Sequence, residues 1–323
     1  MKRKFLVLLA IFTAFGVFDL GKNSANAAAR KYPVKAINLI VPNNPGGGSD
    51  TAARAIASIA PKYLGQSMIV VNKPGASGAT AHTDIAKAKP DGYTLIITGN
   101  SPSTVVPYLG KVNYDPLNDF EFILRITNLR NCIGVAASSP FNSIEDFFAY
   151  AKANPGKIKI GNSGANGIDD LVIRMINKKA GIETVQIPFD SSAEIITAVM
   201  GGHIAAFSGS VTSILPMVQN NTMKILAITA DERDRVFPSI PTLREMKGFD
   251  VSLNNQIGIG APKGTPKEVI SFLHDAFKKS MEDEGFKAFA KKLNFSVDYL
   301  NGADFKKAIQ VDSGKVKAIV AGK

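Results

Sequence analysis

A single cysteine, Cys132, stands among 323 residues, so no disulfide can close within the chain. With Phe122, Ile123 and Ile133 near it in sequence, it reads as a small buried hydrophobe rather than a nucleophile. Histidine is almost as scarce: His82, His203 and His274 lie far apart, with no nucleophile or metal-ligand spacing around them. They read as surface or capping residues, and neither a metal constellation nor a His-based catalytic set can be assembled from them. No Lys-Ser/Thr pair follows the run Gly46–Gly48, and neither glycine-rich turn spells G-x-G-x-x-G, which argues against a nucleotide site. The stretch GNSGA at 161–165 approaches the serine-hydrolase elbow G-x-S-x-G but ends in Ala165. An exported hydrolase built on Ser163 is thus an alternative short of both its elbow and its base. No long low-complexity linker occurs, so the two lobes expected from a chain of about 300 residues must be closely joined.

The N-terminus carries Lys2, Arg3 and Lys4, an apolar run from Phe5 to Phe18, and the small-residue pattern Ala25-Asn26-Ala27. This is the pattern of a secretory signal over residues 1–27, cleaved before Ala28, and the run is short for a membrane span of about 20 residues. No cysteine lies at the cleavage site, which argues against a lipoprotein. Removing the segment lowers the formal charge from +11 to +8. In an exported protein that balance suits anionic small molecules or a membrane partner better than nucleic acid, alongside the plain reading of a solubilising surface.

Short Ile/Val-rich runs at Ala36–Val41, Met68–Val71 and Tyr93–Thr98 read as buried strands, separated by helical patterns at Thr51–Tyr63 and Ala79–Ala88. Such alternation predicts parallel sheet covered by helices. The stretch 121–137 reads as a long extended crossing into a second α/β set, with strands at Lys157–Asn162, Thr184–Phe189, Ile204–Gly209 and Lys224–Thr229. Ser143 with Asp146 and Ser191 with Glu194 have capping-box spacing, and Thr265-Pro266 with Glu268 marks another helix start. Two strand-to-helix turns stand out. VPNNPGGGSD leaves the first strand through three glycines, and IGNSGANGIDD leaves Ile160 through Gly161, Gly164 and Gly167. Glycine admits close approach, a helix start leaves N–H groups without partners, and the helix dipole adds about half a positive charge there. Both turns are anion cradles. Facing each other across a cleft, they would hold one ligand from two sides.

The blocks YPVKAINLIVPNNPGGGSDTAAR, LGQSMIVVNKPGASGATA, AKPDGYTLIIT, YDPLNDFEFI, NPGKIKIGNSGANG, IPFDSSAEIITAVMGGHIAAF, KILAITADERDRVFPSIPTLREMKGF and IGAPKGTPKEVI follow in this order. Together they resemble the Bug-type extracytoplasmic solute receptors of tripartite tricarboxylate transporters over nearly all of the mature chain. The resemblance implies a two-lobed α/β periplasmic-binding-protein fold, a Venus flytrap with its ligand cleft between lobes. Lobe 1 would comprise 28–126 and 252–323, and lobe 2 127–251. It implies a periplasmic, monomeric receptor without catalysis or cofactor, which delivers a small organic carboxylate to membrane transporter subunits and binds no nucleic acid. A sensor that presents its ligand to a membrane signalling protein is a further alternative.

Carried over by position, the first ligand loop holds Asn43, Asn44, Gly47, Gly48, Ser49 and Asp50, and the second Ser163, Gly164, Ala165, Asn166 and Gly167. Asn100 and Ser101 follow the third strand, Asp190 and Ser208 lie at strand ends, and Asn255 stands in a region where relatives carry an aromatic. The chain departs from the family pattern at Asn43, often apolar in relatives, at Asp190, often basic, and at Asp169-Asp170, where a His is frequent; tryptophan is absent. A more polar cleft is expected, for a carboxylate whose far end carries donors toward Asp190, Asn254 or Asn255. Asp169 and Asp170, in a first helical turn, read first as complements of the dipole.

Overall fold

The structure is a computed structural model that describes residues 32–322 apart from Arg235, Lys247, Gly248, Asn254 and Asn294. The expected signal at 1–27 and Asn254 lie outside the described residues. The first stretch of chain runs β1 (Ile37–Val41), α1 (Gly48–Ile59), α2 (Pro61–Leu64), β2 (Met68–Asn72), α3 (Ala79–Ile85), β3 (Thr94–Thr98), α4 (Ser101–Thr104), α5 (Val106–Leu109) and β4 (Phe120–Leu129). After Arg130 come β5 (Asn131–Ala136), α6 (Ile144–Ala153), β6 (Lys159–Asn162), α7 (Ile168–Ala180), β7 (Val185–Pro188), α8 (Ser192–Met200), β8 (Ala206–Ser210), α9 (Val211–Gln219) and β9 (Met223–Ile228). The chain then returns through β10 (Asn255–Pro262), α10 (Lys267–Glu282), α11 (Glu284–Lys292), β11 (Leu300–Asn301) and α12 (Gly302–Val320).

Two sheets result, one per lobe. The six-stranded sheet has the order β11-β4-β10-β3-β1-β2, and the five-stranded sheet β7-β6-β8-β5-β9. β1 is parallel to β2 and β3, and β6 is parallel to β7 and β8, so their carboxyl ends share an edge in each sheet. β10 is antiparallel to both β3 and β4, and β5 to both β8 and β9. The long extended stretch read from the sequence is thus β4 in one sheet, Arg130, and β5 in the other.

β1 is buried on both faces except at the exposed Asn38, which explains why the rest of the strand is apolar. Ile37, Leu39 and Val41 share a core with Ala52, Ala53 and Ile56 of α1 and Phe277 of α10, while Ile40 joins Ile96, Phe122 and Phe305 on the other side. In the second lobe α7 buries Ile168, Leu171, Val172, Ile173 and Ile176, each contributing about 1.5–3 kcal/mol by leaving water, and this pins the helix start to its sheet. Gly181, left-handed at φ 62, ends the helix. Val105 beside α5 and Val316 of α12 join the second lobe's core, so the lobes touch through packed side chains as well as through the crossing strands.

The cap at Ser143 forms a reciprocal capping box with Asp146. Ser191 accepts the Glu194 N–H, and its hydroxyl donates to the Glu194 carboxylate. The start read at Thr265 differs: Pro266 occupies the cap position of α10, and the Thr265 hydroxyl donates back to the Pro262 carbonyl at 2.8 Å, closing the preceding turn. Cys132 is fully buried in β5. His82, expected at a surface or cap, is fully buried instead, because its face of α3 packs on Tyr114 and Phe120. Its ring nitrogens meet Gly78 O and Thr98 Oγ1, and burial pushes its pKa down to about 4.

Candidate functional site

Ligands of open α/β sheets sit past the carboxyl ends of parallel strands, where the chain turns into the next helix. Here five such turns meet. Asn43–Gly47 lead from β1 into α1, Asn100 from β3 into α4, Ser163–Gly167 from β6 into α7, Asp190 and Ser191 from β7 into α8, and Ser210 from β8 into α9. All five supply walls of one cavity of about 60 Å³ between the sheets. The first lobe contributes Asn43, Asn44, Gly47, Gly48, Ser49, Ser77, Asn100, Ser101 and Asn255, and the second Ser163, Ile168, Asp169, Asp190, Ser191, Ser192 and Ser210. Asn255 reaches the same edge because antiparallel β10 starts where β3 ends. Helix starts on both sides direct partial positive charge into the cavity, although none of its lining residues is Lys, Arg or His.

The entrances to α1 and α7 are built alike. Gly47 and Gly167 are extended cap residues with no side-chain cap bond. Before them Gly46 at φ 90 and Asn166 at φ 60 take the left-handed conformation that glycine and asparagine tolerate. Gly46 N–H donates to Asp50 at 3.0 Å and Asn166 N–H to Asp170 at 2.8 Å. Arg54 and Arg174, one turn further on, pair with those same acids at 2.9 and 2.8 Å. Asp50 and Asp170 therefore brace the loops and take no part in the cavity wall. Burial pushes the Asp50 carboxyl up, but Arg54, the Gly46 N–H and Asn72 together hold it below its ordinary value.

On the cavity side the two entrances differ at two matched positions, where α1 has Gly48 and Ser49 and α7 has Ile168 and Asp169. Ser49 Oγ accepts from Asn100 Nδ2 at 3.0 Å. Asp169 accepts from Asn131 Nδ2 and from Ser163 Oγ, both at 2.7 Å. Burial pushes the Asp169 carboxyl up to about 6; the hydroxyl and N–H of Ser163 pull against this, and the neighbouring Asp170 charge adds to it. Asn131 in turn accepts from Asn255 Nδ2 at 3.2 Å, which ties the two crossing strands to this wall. Asn43 Oδ1 and Asn100 Oδ1 are buried acceptors with no protein donor. The lobes also bond directly across the cleft. Asn44 Nδ2 donates to Asp190 O at 3.2 Å, Ser77 Oγ to Ala165 O at 2.6 Å, and Ile168 N–H to Ser101 Oγ at 3.0 Å.

Of the residues expected from the sequence, Asn43, Asn44, Gly47, Gly48, Ser49, Asn100, Ser101, Ser163, Asp190 and Asn255 are brought together on the cavity. Asp50 is not, for the reason above. Ser208 is buried two residues back along β8, and Ser210 on the same face reaches the cavity in its place, because the cleft lies past the strand end. Gly164, Ala165, Asn166 and Gly167 form the lobe seam instead: a Cβ on Gly164 would meet Ser77 Oγ at 2.7 Å, and one on Gly167 would meet Ser101 Oγ at 3.3 Å. Asp170 keeps the dipole-complementing place expected of it, while Asp169 faces the cleft. Ser191, Ser192 and Ser210 join the cavity without having been expected there, yet each stands where a strand gives way to a helix, a signal the sequence carries. Ser77 had no such signal. It lies in the Gly75–Gly78 turn, whose Ala76 and Ser77 are both left-handed, and reaches the site only through tertiary packing. Ser163 donates its hydroxyl to Asp169 and has no histidine partner among its hydrogen bonds, which leaves no activated nucleophile there.

A larger groove of about 830 Å³ lies elsewhere, between α7 and the end of α12, with Arg174, Lys178, Lys179, Arg244 and Lys315 on its walls. No residue of the five strand-to-helix turns lines it.

A family model described as tripartite tricarboxylate transporter family receptor matches residues 52–323. The UPF0065 protein in the gbd 5' region of Cupriavidus necator is 32% identical over 319 residues, spanning 99% of this chain and 97% of that one. Among solved structures, a TctC solute binding protein from Polaromonas is 31% identical with a TM-score of 0.69, over 90% of this chain and 100% of that one. The periplasmic binding protein BugD is 26% identical with a TM-score of 0.82, over 90% of this chain and 98% of that one.

Proposed function

The chain belongs to the tripartite tricarboxylate transporter receptor family, periplasmic solute-binding proteins rather than enzymes, and from that premise we propose that it traps a small organic carboxylate between its lobes and delivers it to a tripartite tricarboxylate-type membrane transporter. The observation that carries this reading is the convergence of five helix starts, drawn from both sheets, on one cavity without a basic side chain. Such a cavity holds an anion through N–H groups and dipoles alone, at little desolvation cost to the protein. The carboxylate sits on Gly47, Gly48 and Ser49, with Asn100, Ser101 and Ser163 completing the polar wall. Asp50 and the 164–167 turn shape the loops and the seam.

Closure follows from differential affinity. A ligand touching walls from both lobes favours the form in which Asn44, Ser77 and Ser101 meet their partners, and that form is what a transporter reads. The bodies that move are residues 28–126 with 252–323 against 127–251, hinged near Arg130 and before β10. The receptor is a monomer released by cleavage before Ala28. A thermal-shift screen of organic acids tests the reading: an acid at a hundredfold excess over its Kd adds about 2.7 kcal/mol of stability. A screen in which no organic acid moves the transition, while some other solute class does, refutes it.

A further inference from the structure

Resting on that carboxylate reading, we propose that the ligand is zwitterionic, a small amino acid whose carboxylate lies at the start of α1 and whose ammonium group lies against Asp169. The two helix entrances share their cap glycine, their left-handed residue, their bracing acid and their arginine. They differ where it matters to a ligand. Ser49 leaves the positive end of α1 open to an anion, whereas Asp169 already places a carboxylate at the positive end of α7. One wall is thus built for negative charge, and the facing wall carries it.

Asp169 is buried, with 8% of its surface exposed, and its partners Asn131 and Ser163 are neutral donors. A carboxylate accepts about four hydrogen bonds. The side-chain bonds from Asn131 and Ser163 and the Ser163 N–H occupy three, which leaves room for a donor from the cavity. Asp190 adds a second acidic residue to the same wall. Asn100 and Asn43 also line this cavity, and the side-chain oxygen of each is buried without a protein donor. A hydroxyl on the ligand would supply a donor but leave the Asp169 charge uncompensated, and a second carboxylate would be repelled. An ammonium group answers the charge and brings three donors to these acceptors.

The test is calorimetric titration of the intact mature protein at neutral pH with two series that each share a carbon skeleton: aspartate, malate and succinate, and alanine, lactate and propionate. The expected result is that, in the series that binds, the amino member binds at least tenfold more tightly than its hydroxy and unsubstituted analogues. Asp169→Asn, similar in shape and neutral, should weaken the amino member at least tenfold and leave the unsubstituted analogue within about threefold, closing the gap. Succinate or propionate binding as tightly as its amino counterpart overturns the zwitterion while leaving the carboxylate reading intact. Absence of binding by every acid in both series and in a wider organic-acid screen overturns the carboxylate reading, and the zwitterion with it. The wild-type comparison needs no variant to fold.

Discussion

Asp169 offers a stability measurement that isolates one group. Its carboxyl titrates near 6 in the fold against an ordinary 3.8, chiefly because it is buried. The folded chain therefore holds that proton more tightly than the unfolded chain does, and the group's contribution to stability falls as pH rises from about 4 through about 6, then levels off. At about 1.4 kcal/mol for each tenfold change in proton affinity, the loss amounts to about 3 kcal/mol by pH 7.5. Asn at this position has no charge at any pH. It keeps one acceptor for Asn131 or Ser163 and presents an amide to the other, a pairing penalty of about 1–3 kcal/mol that is the same at every pH. The signature is therefore the change with pH rather than the offset. Urea unfolding of wild type and Asp169→Asn at pH 4.5 and 7.5, without ligand, should show the variant gaining about 2 kcal/mol relative to wild type between the two conditions. Titrating groups that do not feel the Asp169 charge cancel in the difference. A variant whose stability runs parallel to wild type across that interval would show that Asp169 is charged without penalty in the fold, and the reasoning about its wall of the cavity would fall.

The two loop glycines should behave oppositely. A Cβ on Gly47 meets nothing within 4 Å, so Gly47→Ala should leave the melting temperature unchanged, whereas one on Gly48 would lie 2.3 Å from Leu129 Cδ1 and 3.3 Å from Ser210 Oγ. Gly48→Ala should cost about 1–3 kcal/mol and weaken ligand binding, and equal melting temperatures for the two variants would count against the packing described. Replacing both Ser77 and Ser101 by Ala removes two bonds across the seam, each contributing about 0.5–1.5 kcal/mol, and should enlarge the ligand-free protein in small-angle scattering; superimposable curves would deny the seam its part in closure. Cys132 is buried, and burial, then the charges of Asp169 and Asp234, push its thiol well above its ordinary value. A thiol reagent at pH 7.5 should label it only as fast as the chain unfolds, so rapid stoichiometric labelling of native protein would contradict the burial.

Much of this was legible in the residues themselves because it depends on near neighbours in the chain. Apolar runs between glycine turns located β1, β3 and β6, and the cap residues located the starts of α6 and α8, since strand burial and helix starts are decided within a few residues. The two glycine-rich strand-to-helix turns were likewise legible, and both stand between a strand and a helix as expected. Ambiguity began where one residue could satisfy either a local or a distant partner. Asp50, Asp169 and Asp170 all stand in first helical turns, and the sequence treats them as equals. Only the fold turns Asp50 and Asp170 back onto their own loops and arginines and leaves Asp169 facing the cleft among Asn131 and Ser163. The same holds for Ser208 and Ser210, identical in type and on one face of β8, of which only the one at the strand end reaches the cavity. Ser77 and the 164–167 turn become a seam because two lobes fold against each other, and His82 becomes a core residue because the Tyr114 and Phe120 rings, more than thirty positions later, cover it. Chain-local chemistry thus determined the elements and the two glycine-rich helix entrances. Which side chains face the cavity was decided by tertiary packing, because burial and charge compensation are settled by neighbours that sequence order does not reveal.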